Sequence, residues 1–327
     1  KQLLKTYRIK DVFLNRDYEP YAINRDLQVH NLLKQHKIGY NEFKDHVIFE
    51  KNEIIKADGN PYVVFTPYKR KWLEKLETTT IEITDTIKEN FFQSNFSLPS
   101  LNDLGFHESP ITVPDFILSH VTNYQETRNF PSLDKTSKIG PHLRFGTLSI
   151  RAIVKQVANM SEVYLSELIW RDFFIQIIHH FPHVVIQNFR KKYDKIAWRN
   201  NELEFKKWCE GATGYPIVDA GMKELNTTGF MHNRVRMITA SFLCKHLLID
   251  WRWGEAYFAS KLLDYELASN NGNWQWCAGT GCDAAPYFRI FNPYQQTKKF
   301  DKKLSYINKW LPNLNSFDYP NPIVEHT

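Results

Sequence analysis

The stretch NNGNWQWCAGTGCDAAPYFRIF, residues 270–291, decides how this chain is read. Two indoles, Trp274 and Trp276, stand two apart among Asn and Gly. Small residues let the backbone come close to something flat and large. Positions i and i+2 cannot share a helix face, so the two indoles serve different neighbours.

Working outward, chemistry-bearing segments recur. ELIWRDFF (167–174) places Glu167, Trp170, Arg171 and Phe174 at i, i+3, i+4 and i+7, one helix face. An ordinary core face does not mix a carboxylate, an indole and a guanidinium. FMHNRVRMITASFL (230–243) offers Asn233 and Met237 at i, i+4, with Arg234 and Arg236 between them. The Asn233 amide both donates and accepts, and Met237 is a soft apolar filler. GYPIVDAGMKEL (214–225), LLIDWRWGEAYF (247–258) and LLDYELASN (262–270) complete the set.

Colinear matches of this kind run over roughly residues 124–312 and resemble the photolyase/cryptochrome family. The match is closest to photolyases acting on cyclobutane pyrimidine dimers. The resemblance implies a flavin enzyme: reduced FAD, excited by blue light, gives an electron to a dimer flipped out of DNA, the ring splits and the electron returns. It assigns Glu167 and Asn270 to catalysis. Glu167 and Trp170 would meet the damaged bases, and Asn270 would face flavin N5. Tyr124, Arg171, Arg236, Asp264, Tyr265 and Glu266 would contact the flavin, with Glu266 standing where the family usually has Asp. The loop TSKIG, comprising Thr136, Ser137, Lys138, Ile139 and Gly140, resembles the family's diphosphate-binding loop, with Gly140 in place of the commoner Ser. Arg128, Asn233, Arg234, Met237, Trp276 and Gln296 would contact DNA or the lesion, and Lys298 and Lys299 make that edge basic. Trp274, Trp251 and Trp198 match an electron relay running from flavin to surface. No metal and no covalent nucleophile is needed.

Within the family, photolyases for (6-4) lesions have histidines at the positions of Asn233 and Met237. Photolyases have Asn at position 270, where plant cryptochromes have Asp and animal ones usually Cys. These positions favour repair of the cyclobutane dimer over the alternative, a photosensory cryptochrome that binds FAD without repairing duplex DNA; Trp276 and Met237 count against its DASH type. A nicotinamide oxidoreductase would need a GxGxxG, which the chain lacks.

The composition agrees. The chain has 327 residues, 43% hydrophobic and 15% aromatic, enough for a sizeable core. No run of about 18 apolar residues occurs, so no membrane span is expected. The N-terminus KQLLKTYRIK lacks the apolar run of a secretory signal. The four cysteines form no CxxC pair and read as free thiols in a reducing compartment, hence a cytoplasmic location, at the nucleoid in a bacterium. A net charge of +6 and a pI of about 8.9 suit a polyanion such as DNA. A monomer is expected.

The expected fold is an α/β remnant followed by a large all-α FAD-binding domain. DVFLN (11–15), HVIFE (46–50) and YVVFT (62–66) read as strands, 21–37 as a helix and ADGNP (57–61) as a turn. Residues 1–76 are then a partial α/β antenna domain, 77–115 a linker rich in Thr, Ser, Asn and Pro, 116–312 the helical domain and 313–327 a tail. The resemblance implies an N-terminally truncated member, because the family carries further chain that completes a Rossmann-like antenna domain. Much of the pocket for an antenna chromophore, folate or deazaflavin, would lie in that further chain.

Overall fold

The computed structural model of the protein describes residues 1–84, 86–92, 97–286 and 289–312. The expected tail at 313–327 lies outside the described residues. After a short helix α1 (Gln2–Thr6), strand β1 (Asp11–Asn15) leads into α2 (Pro20–Gln35), which returns to β2 (Gly39–Phe43). Pro20 opens α2 where its missing N–H costs nothing. The strands pair in parallel, from Asp11↔Gly39 to Asn15↔Phe43. Such pairing requires a crossover of about a dozen residues or more, which α2 supplies. The helix α3 (Phe65–Glu77) follows, and a 3-10 turn at Lys88–Asn90 breaks the exposed stretch beyond it.

From there the described chain is helical: α4 (Tyr124–Thr127), α5 (Gly140–Arg144), α6 (Ile150–Val157), α7 (Glu162–His180), α8 (Glu202–Glu210), α9 (Pro216–Thr228), α10 (Asn233–Lys245), α11 (Trp251–Lys261), α12 (Leu267–Ala278), α13 (Pro293–Phe300) and α14 (Ser305–Trp310). Helix starts are capped as the sequence suggests. Ser161, Asn201 and Asp250 each accept from a backbone N–H in the first turn, satisfying donors that have no intrahelical partner.

The α/β remnant and the helical domain are both present, but two expected strands are not. Residues 62–66 are rich in β-branched and aromatic side chains, yet Phe65 begins α3. The spacing of Phe65, Tyr68 and Trp72 is helical, and that face is buried on α7. Residues 46–50, buried at 47–49, form no strand: the Ile48 N–H donates to the Asp172 carboxylate at 3.2 Å. The Trp72 indole N–H donates to the same oxygen at 3.1 Å. Burial pushes the Asp172 carboxyl up to about 6, against the pull of Arg171 and these donors. Conversely, GYNEF (39–43), unremarked in the sequence, is β2.

The apolar interior falls into two clusters. One joins Tyr18, Val47–Phe49 and α3 to α6 and α7. The other is built by α8 to α12 and α14, around Trp208, Phe242, Trp251 and Trp274. Helix α12 packs on both α7 and α11, and so lies between the two.

Candidate flavin and lesion site

The cavity between these clusters has a volume of about 420 Å³. That lies within the range of about 300–1,000 Å³ usual for ligand pockets. Helix α7 supplies Glu167, Trp170 and Arg171; α10 supplies Asn233, Arg236 and Met237; the turn into α12 supplies Asp264, Tyr265 and Glu266; α12 itself supplies Asn270, Trp274 and Trp276; Arg128 is also among the lining residues.

The indole pair behaves as its spacing requires. Residues 270–278 are helical. Trp274, 2% exposed, faces the second core, with its ring edge-on to Phe258 at 5.0 Å. Trp276 is half-buried at the cavity wall, 6.5 Å from the Phe291 ring.

On the α7 wall, Glu167 pairs with Arg128 at 2.7 Å. Burial raises the Glu167 carboxyl while Arg128 opposes it. Trp170 lies flat on Phe65, with centroids 3.6 Å apart and planes 6° apart, and Phe174 flanks it at 5.3 Å. Arg171 bonds Glu266 at 2.9 Å and donates to the His46 carbonyl at 2.6 Å. His46 Nε2 also meets Glu266, at 3.1 Å, and Ser269 donates to its other oxygen at 2.5 Å. Burial works against the Glu266 charge, but Arg171, His46 and Ser269 outweigh it and hold the carboxyl down at about 2. Glu266 therefore has partners for both oxygens within the protein.

On the opposite wall, Arg236 bonds Asp264 at 2.9 Å. The other Asp264 oxygen is buried with no partner among the described residues, as is the Thr136 hydroxyl. Polar atoms buried without a partner are free to bond a ligand. Gly140 sits against Asp264: a Cβ there would come within 2.7 Å of the carboxylate. This close approach favours Gly at position 140, and it brings the end of the 136–140 loop against Asp264, a lining residue. Within that loop, Ser137 accepts from the Tyr164 hydroxyl at 2.8 Å, Lys138 pairs with Asp134 at 2.6 Å, and Ile139 is buried. The Asn270 amide nitrogen donates to the Glu255 carboxylate at 2.9 Å and to its carbonyl at 3.3 Å. Its carbonyl oxygen is thereby left as the acceptor offered to the cavity.

Other expected residues do not line the cavity. Tyr124 stands edge-on to Tyr164 at 5.0 Å, with Arg128 over its ring. Arg234 bonds Asn129 at 2.6 Å and lies over the Phe300 ring. Gln296 is half-buried on α13, beside exposed Lys298 and Lys299. Lys299 also lies over Phe300, so Arg128, Arg234 and Lys299 form one basic edge beside the opening. Trp251 is buried and donates to Asn188 at 2.8 Å, and Trp198 is half-buried at the margin of the second core. Sequence reasoning missed Phe65, His46 and Glu255. Phe65 was legible in the helical spacing of α3; His46 and Glu255 act only through contacts distant in the chain.

A helical domain enclosing a cavity with an aromatic wall and carboxylate–guanidinium pairs suits a large, flat cofactor. The chain belongs to the DNA photolyase family. The family model described as the FAD binding domain of DNA photolyase matches residues 164–327, and that described as DNA photolyase matches residues 1–86. A deoxyribodipyrimidine photo-lyase of Vibrio cholerae is 39% identical over 340 residues, covering 96% of this chain and 72% of the relative. An archaeal photolyase from Sulfolobus tokodaii, solved with two FAD molecules, aligns with a TM-score of 0.82 at 34% identity, covering 98% of this chain and 72% of that one. A cryptochrome from Synechocystis aligns with a TM-score of 0.75 at 28% identity, covering 95% and 70%. Among the described residues, no helix is long and apolar enough to cross a membrane.

Proposed function

We infer that this protein is a deoxyribodipyrimidine photo-lyase that repairs cyclobutane pyrimidine dimers in DNA with light and reduced FAD. One observation carries the reading: residues assigned to the lesion (Glu167, Trp170, Asn233, Met237, Trp276) and to the flavin (Arg171, Arg236, Asp264, Asn270) line a single cavity.

The residues present fit the cofactor. Asp264, held by Arg236, and the Thr136 hydroxyl would take its polar groups, and the Asn270 carbonyl would accept a hydrogen bond from its ring system. When bound and reduced, FAD supplies the electron that light drives into the dimer. The protein holds and orients. The Glu167 carboxylate, held at the wall by Arg128, would accept from a pyrimidine edge. Trp170, braced by Phe65 and Phe174, presents a rigid apolar face to the dimer, and Trp276 presents a second. Arg128, Arg234, Lys298 and Lys299 would hold the flanking phosphates. The chain separates into an N-terminal α/β portion (1–76), a linker (77–115) and the helical repair domain (116–312).

The test is a dimer-containing oligonucleotide illuminated with blue light in the presence of the reduced holoprotein. Restoration of the paired thymines supports repair. Flavin binding without restoration points to a photosensor, the role open to a cryptochrome.

A further inference from the structure

The cavity face of α12 carries one polar side chain to which the resemblance gives no role. Asn273 lines the cavity, one helical turn from Asn270 and one from Trp276. Its amide nitrogen donates to the Ser269 carbonyl at 2.8 Å. A carbonyl only accepts, so this bond fixes which end of the amide is tied down. The Asn273 oxygen has no partner among the described residues, and the side chain is exposed. Asn270 is held in the same way, its nitrogen tied to Glu255 at 2.9 Å. Helix α12 therefore offers the cavity two amide oxygens in a row.

We propose that Asn273 is a further lesion-contacting residue, whose oxygen accepts from the N3–H of one thymine of the dimer; this rests on the reading of the cavity as the lesion site. The polar edge of a thymine carries two carbonyl oxygens and a single donor, N3–H, between them. An acceptor on the protein can be paired by that proton alone. A dimer has two such protons. The cavity supplies an acceptor for each from opposite sides: the Glu167 carboxylate on α7 and the Asn273 oxygen on α12. Asn270 is left to the flavin.

The same geometry gives selectivity. In the open cavity the exposed Asn273 oxygen is hydrated. A dimer seated against α12 displaces that water, and an acceptor buried without a replacement donor costs more than a hydrogen bond gains. Thymine provides the donor. Cytosine has a lone pair at N3, so two acceptors would face each other there. Asn273 thus favours thymine over cytosine at the ring it meets.

The experiment uses FAD-loaded protein in darkness, so that no dimer is repaired. Fluorescence anisotropy measures binding to a duplex with an unmodified thymine dimer, and to duplexes methylated at N3 of the 5′ or of the 3′ thymine. Wild type, Asn273→Ala and Asn273→Asp are compared; position 273 is exposed, so neither change disturbs the core. In the wild type, methylation of the ring that meets Asn273 should weaken binding about fivefold, the worth of one neutral hydrogen bond. Asn273→Ala should lose about as much on the unmodified dimer and become indifferent to that methyl group. It should stay as sensitive as the wild type to methylation of the other ring. Asn273→Asp keeps an acceptor and should keep the sensitivity at both rings. If both methyl groups cost Asn273→Ala as much as they cost the wild type, Asn273 only shapes the wall and the inference is overturned, while the repair reading stands. If the wild type binds the unmodified dimer no better than undamaged duplex, the lesion site itself fails, and the inference with it.

Discussion

The Arg128 guanidinium stands 2.7 Å from the Glu167 carboxylate at the wall of the cavity, so one ion pair joins the basic edge to the lesion site. On the proposed function, a phosphate drawing Arg128 toward DNA would free Glu167 for a base. Glu167→Gln keeps the shape and removes the charge. A hydrogen bond to a charged group is worth about 1.5–3 kcal/mol, so binding to dimer-containing DNA should fall by about tenfold or more, one decade being about 1.4 kcal/mol. Binding to undamaged duplex should hold steady in a fluorescence-anisotropy titration. Equal losses on both DNAs would show that Glu167 matters only as a partner for Arg128.

Trp276 and Lys298 should separate lesion contact from phosphate contact. Stacking of an indole on an extruded base is worth about 1–3 kcal/mol. Trp276→Ala should therefore weaken damaged-DNA binding by about tenfold or more at fixed salt and leave undamaged duplex nearly unchanged. Lys298→Ala should weaken both together and flatten the dependence of affinity on salt. A Trp276→Ala variant that loses both DNAs alike would argue against the cavity as the lesion site.

Trp251 should matter for activation of the enzyme and not for repair itself. Trp251→Phe breaks the relay while the lining residues stay in place. Light-driven reduction of oxidised flavin should slow, and repair by enzyme reduced beforehand with dithionite should remain near the wild-type rate. Parallel loss of both would make Trp251, buried and bonded to Asn188, a structural residue.

Glu266 sets a pH dependence of stability whose sign follows from its lowered pKa. The carboxyl titrates at about 2 in the folded protein, against an ordinary value of 4.5 for a glutamate in the unfolded chain. Its stabilising contribution is therefore complete above about 4.5 and lost as pH falls toward about 2. At about 1.36 kcal/mol per pH unit, that gap amounts to roughly 3 kcal/mol. Urea titrations should find Glu266→Gln less stable than wild type near neutrality, with the difference narrowing steadily below about pH 4.5. A difference that stays constant across that range would mean the Arg171–Glu266–His46 network is not what lowers this carboxyl.

The helical domain was legible because its signals are local. Apolar spacing, capping residues and Gly or Pro at helix ends act within a few residues, so α7 and α10 are readable from the chain alone. The cavity-lining sets were legible for a related reason: Glu167, Trp170 and Arg171, or Asn233 and Met237, share a helix face whatever that face meets. The errors fell where burial overrode propensity. Residues 62–66 look extended until α7 offers Phe65, Tyr68 and Trp72 a surface on which to bury a helical face. Residues 46–50 look like a strand until Asp172, more than a hundred residues away, accepts the Ile48 N–H that a neighbouring strand would otherwise bond. The sequence by itself therefore determined which side chains share each helix face and what chemistry they carry. Only the tertiary structure decided their partners: Glu255 holding Asn270, His46 holding Glu266, and Trp208 touching Trp274. These contacts join elements with no fixed separation along the chain, and close packing, which is not periodic, is what selects them.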